Sequence, residues 1–166
     1  PVTVAVIDMG TDTKHPDLKG SLLPGFNIGN PANEQYPMDH GTHVSGIIAA
    51  KKGNGEGGYG VASNVKILPI DVLDGNNYYL SDYILAEGIL KAVEKGAKVI
   101  NMSLGMGVYS PLTDAAIQTA NEKGVVVVAA AGNGGSDYIS YPAGNEGVIS
   151  VGSVNKDKKL SYFSTY

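Results

Sequence analysis

The chain has no cysteine and no arginine, and nowhere does it run to the ~18 consecutive apolar residues that a membrane span requires. Without cysteine, a disulfide framework and a thiolate metal site are both excluded, and redox chemistry says nothing of compartment. Without arginine, all 12 basic side chains are lysines, so the forked guanidinium that reads phosphates and base edges is missing. Together with a net charge of −4, this argues against nucleic acid as a partner, and no membrane association is expected. The N-terminus also lacks the basic, apolar and small-residue order of a signal peptide. What the chain has instead is 43% hydrophobic residues in a length of 166, enough for one globular core, and 23 glycines, about twice the usual ~7% share. Many tight turns or close backbone approaches are implied.

Short β-branched runs recur at Val2 to Ile7, Val65 to Val72, Lys98 to Leu104, Val125 to Ala131 and Val148 to Val154. Each is nearly all apolar, the pattern of strands covered on both faces. Between them lie helical patterns. Tyr83, Ile84, Ala86, Ile89, Leu90 and Val93 keep a 3.6-residue rhythm after a cap at Ser81 and stop at Gly96. Pro111, after Ser110, opens a second helix that ends near Gly124. The βαβα alternation predicts an α/β fold, a three-layer sandwich with a mostly parallel central sheet flanked by helices. Residues 53–60, rich in glycine, read as an open loop, and no internal boundary divides the chain.

In open α/β sheets chemistry gathers at the carboxyl ends of strands. The polar residues that close the apolar runs are Asp8, Ser103 and Asn133, and His40 joins them at the start of a small-residue helix after the first crossover. A carboxylate bonded to one imidazole nitrogen fixes the tautomer and leaves the other nitrogen free to take a proton, which suits Asp8 and His40. An asparagine amide that follows the small residues Ala129 to Gly132 suits a donor to developing negative charge. Taken alone, each of these residues also fits a turn, cap or structural role.

Val4-Ala5-Val6-Ile7-Asp8-Met9-Gly10, His40-Gly41-Thr42-His43-Val44-Ser45-Gly46 and Ala130-Ala131-Gly132-Asn133 together resemble three successive signatures of the subtilisin-like serine proteases. His15-Pro16-Asp17-Leu18, Gly60-Val61-Ala62 and Asn101-Met102-Ser103-Leu104-Gly105 fall in the same family order, so the resemblance covers essentially the whole chain. It implies Asp8 as the histidine-orienting acid, His40 as general base and Asn133 as side-chain oxyanion donor. It further implies Ser103, Leu104 and Gly105 as one wall of the primary specificity pocket, with Ala130 to Gly132 as the other, and polypeptide as substrate, held mainly through backbone bonds. His43 and His15 read as structural. No cofactor is needed for such chemistry, though the family often binds structural calcium, here through Asp17 with oxygens from Asn54 or Glu56. Tyr78 or Tyr79 is placed at the edge of the substrate cleft. A secreted or extracellular location follows from the resemblance alone.

The departures from the family pattern shape the reading. The family's nucleophile lies in a Gly-Thr-Ser-Met-Ala motif, whereas Gly-Thr occurs here only before Asp12 and His43. The chain is therefore expected to be a partial peptidase domain cut at both ends, inactive alone, with the serine in a missing C-terminal segment or a second chain. Met9 stands where the family usually has serine or threonine, which would loosen hydrogen bonding around Asp8. Ser140 aligns with the pocket floor and points to a neutral or apolar preference. One rival is a catalytically inactive binding or scaffold module of the same fold. Another is suggested by Asp8-Met9-Gly10-Thr11, which resembles the phosphate loop of actin-like ATPases and sugar kinases but leaves the histidine motif unexplained.

Overall fold

The computed structural model describes residues 1–74 and 79–166. Its strands are β1 (Thr3–Asp8), β2 (Phe26–Asn27), β3 (Lys66–Asp71), β4 (Val99–Met102), β5 (Val126–Ala130) and β6 (Val148–Val151). Its helices are α1 (Asp39–Ala49), α2 (Asp82–Glu94) and α3 (Pro111–Glu122), with one turn of 3₁₀ helix at Pro16–Leu18. The strands form one six-stranded sheet in the order β2-β3-β1-β4-β5-β6, and each of its pairings is parallel, not merely most of them.

Local chemistry explains both long helices. Ser81 accepts a hydrogen bond from the Ile84 N–H at the start of α2, and Ser110 accepts from the Thr113 N–H ahead of Pro111 at the start of α3. Gly96 and Gly124 follow at positive φ, where the chain leaves each helix. The strands are shorter than their apolar runs. β4 stops at Met102 because the chain beyond it turns aside, and Met106 pairs antiparallel with Tyr141. β2, only two residues long, has no apolar run to announce it and exists because it finds the free edge of β3.

The two faces of the sheet differ in their cover. On one face α2 and α3 pack over Ile7, Ile70, Ile100, Met102 and Val127, all at most 2% exposed. Each such side chain contributes about 1.5–3 kcal/mol by leaving water. On the other face α1 covers Val4, Val6 and Ile67 of β1 and β3. Beyond them that face continues through β4 to Val126, Ile149 and Val151, which are 45%, 54% and 48% exposed. The sheet is thus fully sandwiched on one side and half-covered on the other.

Candidate active site

The register of the sheet sets the site. Ile7 of β1 lies opposite Met102 of β4, and Met102 opposite Ala129 of β5, so Asp8, Ser103 and Ala130 sit one step further along, at a common carboxyl edge. Asp8 is 1% exposed there. α1 brings His40 to it in its first turn. The approach depends on Gly41, where a Cβ would lie 2.0 Å from the Gly10 carbonyl oxygen. Thr42 then fastens the helix, donating its hydroxyl to the Met38 carbonyl and accepting the Asp12 N–H, each at 2.8 Å. This is the physical content of the small-residue motif around His40.

His40 Nδ1 lies 2.9 Å from Asp8 Oδ1 and 3.0 Å from Oδ2. Since an ionised carboxylate only accepts, Nδ1–H is the donor and Nε2 is left free. The imidazole is 53% exposed while the carboxylate is 2% exposed, an arrangement that holds one nitrogen and opens the other to solvent. Asp8 Oδ1 also accepts the Met9 N–H at 2.8 Å, so the backbone supplies a donor even though the Met9 side chain cannot.

Ser103, Leu104, Gly105, Ala130, Gly132 and Asn133 come together around one cleft of about 360 Å³, with Ser140, 8% exposed, among its lining. Gly132 adopts φ +115°, and a Cβ there would come within 2.9 Å of the Thr165 hydroxyl, so the wall needs glycine both for its backbone and for its space. No lining side chain is charged. Met106, Gly107, Gly134 and Tyr138 also line the cleft and were missed from sequence, because they lie in irregular loops without a periodic signal. A second cleft of about 610 Å³ adjoins it through Gly105, Met106 and Gly107 and is bordered by Tyr79, whereas Tyr78 falls outside the described residues.

Asp71 is a further site neighbour that sequence reading passed over. It lay inside an apolar run read as Val65 to Val72, and only the register reveals that it stands opposite Asp8 at the same strand end. Burial pushes its carboxyl above the usual range, and the charge of Asp8 adds to that. Hydrogen bonds from the Leu73 and Tyr36 N–H groups work in the opposite direction.

The other expectations fall elsewhere. His15 Nδ1 accepts the Asp17 N–H at 3.2 Å and caps the 3₁₀ turn. His43 is exposed beside a hollow of about 550 Å³ between that turn and α1, which contains none of Asp8, His40 and Asn133. Asp17 Oδ1 accepts from the Asn54 amide at 2.9 Å, and Oδ2 accepts from the Gly58 N–H at 3.2 Å. The Asn54 Oδ1 accepts the Glu56 N–H. N–H donors thus face both oxygens of the Asp17 carboxylate, and no group of three His, Cys, Asp or Glu side chains placed to hold a metal ion occurs among the described residues.

The subtilase (peptidase S8) family pattern matches residues 1–166. A thermophilic serine proteinase of Bacillus sp. strain AK1 is 45% identical over 98% of this chain and 41% of its own length. Thermitase of Thermoactinomyces vulgaris is 40% identical over 98% of this chain and 58% of its own. Among solved structures, a protease from Pseudoalteromonas arctica superposes with a TM-score of 0.88 at 36% identity, covering 99% of this chain and 60% of that one. The chain therefore spans from two fifths to three fifths of the length of these relatives. With the parallel sheet, the Asp8–His40 contact and a match along its whole length, the chain belongs to the subtilase family of serine proteases.

Proposed function

We propose that this chain supplies the acid, the base and the oxyanion donor of a serine endopeptidase, and that the nucleophilic serine comes from polypeptide outside these 166 residues. The observation that carries the reading is the contact of His40 Nδ1 with both oxygens of the buried Asp8 carboxylate. In the proposed reaction Nε2 takes the hydroxyl proton as the serine oxygen adds to the peptide carbonyl carbon. The carbonyl electron pair moves onto oxygen, where the Asn133 amide donates to it. As the C–N bond breaks, the His40 imidazolium passes its proton to the leaving amine. An acyl-enzyme remains, which water opens by the same steps.

The adjoining clefts favour an extended peptide, and the uncharged lining around Ser140 favours a neutral side chain in the first of them. The apolar sheet face across Val126, Ile149 and Val151 supports the second half of the proposal. A patch of that kind, beginning where the cover of α1 ends, suits contact with further polypeptide. The family resemblance extends the proposal to work outside the cell, which fractionation of culture medium checks. No helix among the described residues is long and apolar enough to cross a membrane.

A fluorophosphonate probe tests the proposal. The full-length protein should be labelled and should lose peptide hydrolysis on His40→Ala, while the 166-residue chain alone should stay unlabelled. Labelling of the isolated chain, or undiminished hydrolysis by the His40→Ala protein, sinks it. A full-length protein that takes no label favours a binding module.

A further inference from the structure

β1 and β3 end side by side in two buried carboxylates. Asp8 and Asp71 are register partners, so their side chains share the face that also carries Val4, Val6 and Ile67, the face on which α1 packs. Asp71 is 0% exposed and Asp8 1% exposed. An aspartate of this kind is costly to bury unless it has partners. Among the described residues the ion pairs are His40–Asp8, Lys91–Glu94 and Lys95–Glu94, so no cation sits on Asp71.

Its partners are two backbone N–H groups with different meanings. Oδ1 accepts from Leu73 at 3.0 Å, a bond that turns the chain at the exit of its own strand. Oδ2 accepts from Tyr36 at 3.2 Å, and Tyr36 lies in the short segment that delivers the chain to Met38 and then to His40. The neighbouring bond from Gln35 Nε2 to the Pro69 carbonyl ties the same segment to the same strand. Around the carboxylate, β1 offers the charge of Asp8, and β2 offers only Asn27, a neutral side chain engaged with the Glu34 carbonyl and the Asn30 N–H. The 35–38 segment offers the Tyr36 N–H. Among the described residues, the charge acting on Asp71 is that of Asp8.

We infer that Asp71 is a positioning residue for the acid–base pair: through the Tyr36 N–H its carboxylate anchors the segment that delivers His40 to Asp8. The inference rests on the proposed role of His40 as base.

The test uses the full-length protein carrying Asp71→Ala, which removes both acceptors. Its kcat for peptide hydrolysis should fall about tenfold to a hundredfold with KM little changed, the Tyr36 amide should exchange its hydrogen faster, and Asp71→Asn, which keeps one acceptor, should restore part of the loss. An unchanged kcat or an unchanged Tyr36 exchange rate in a folded Asp71→Ala protein overturns the inference. If that variant does not fold, the wild type decides: the Tyr36 amide held by Asp71 must be protected from exchange, and an unprotected Tyr36 amide overturns the inference. Because exchange needs no turnover, failure of the peptidase reading shows separately, as hydrolysis unaffected by His40→Ala.

Discussion

At the scale of single residues the site is a chain of dependencies. Asp8→Asn keeps the shape of the side chain but replaces an acceptor-only carboxylate with an amide that can also donate, so the Nδ1–H tautomer of His40 is no longer selected. On the proposed role of His40, it should lower kcat of the full-length protein by about 10⁴, the loss known for the equivalent change in a serine-protease triad. Asn133→Ala should lower kcat by about 10²–10³ with KM little changed; that magnitude was measured on a subtilisin and is carried over rather than derived from this fold. Steady-state kinetics on purified variants checks both, and a uniform rise in KM instead would place Asn133 in ground-state binding.

Asp71 gives a pH prediction at the same scale. Its carboxyl is raised in the folded protein above the ordinary value of 3.8, so the native state holds that proton more tightly than the unfolded chain does. Its contribution to stability is fully present below about 3.8 and is lost as pH rises through the higher folded value. The urea midpoint of Asp71→Asn should therefore gain on that of wild type as pH is raised from about 4 towards neutrality, whatever constant offset the loss of one of the two N–H bonds adds. A difference independent of pH would show that the carboxyl is not raised.

At the scale of elements, the helices were legible because their start signals are local. Ser81 and Ser110 lie beside their periodic apolar residues in sequence, and the caps form as read. Ser110 does more than cap. Its hydroxyl donates to Asp82 Oδ2 at 2.8 Å, and the Thr113 hydroxyl donates to the Asp82 carbonyl at 3.3 Å, so the first turns of α2 and α3 are tied together. Ser81→Ala should cost about 1 kcal/mol of stability, and Ser110→Ala should cost more, since it also strips a carboxylate of a donor. Denaturant midpoints at constant slope check the order, and equal losses would mean that the Asp82 link is idle. β2 was not legible, because two residues carry no periodicity and their pairing, Phe26 with Ile70, depends on a strand 44 residues away.

At the scale of the whole molecule the half-covered sheet is the dominant feature. Val126, Ile149 and Val151 project from β5 and β6 on the face that α1 shields over β1 and β3. The 166-residue chain alone should bind a hydrophobic dye and self-associate, and Ile149→Lys with Val151→Lys should reduce both without lowering its denaturation midpoint. Dye fluorescence and sedimentation check this, and unchanged binding by the double variant would place the sticky surface elsewhere.

The amino-acid order by itself determined the long strands and the helices, the parallel class of the sheet and the carboxylate and imidazole that meet at Asp8 and His40, since periodicity, caps and short motifs are written in neighbouring residues. It also pointed to the walls of the cleft through residues that resemble a family. Only the tertiary structure decided that Asp71 stands beside Asp8, that N–H donors occupy the Asp17 carboxylate, and that one side of the sheet stays apolar and open. Each of these depends on strand register or on contacts across tens of residues, and a register step turns a side chain from one face of the sheet to the other, which no local pattern records.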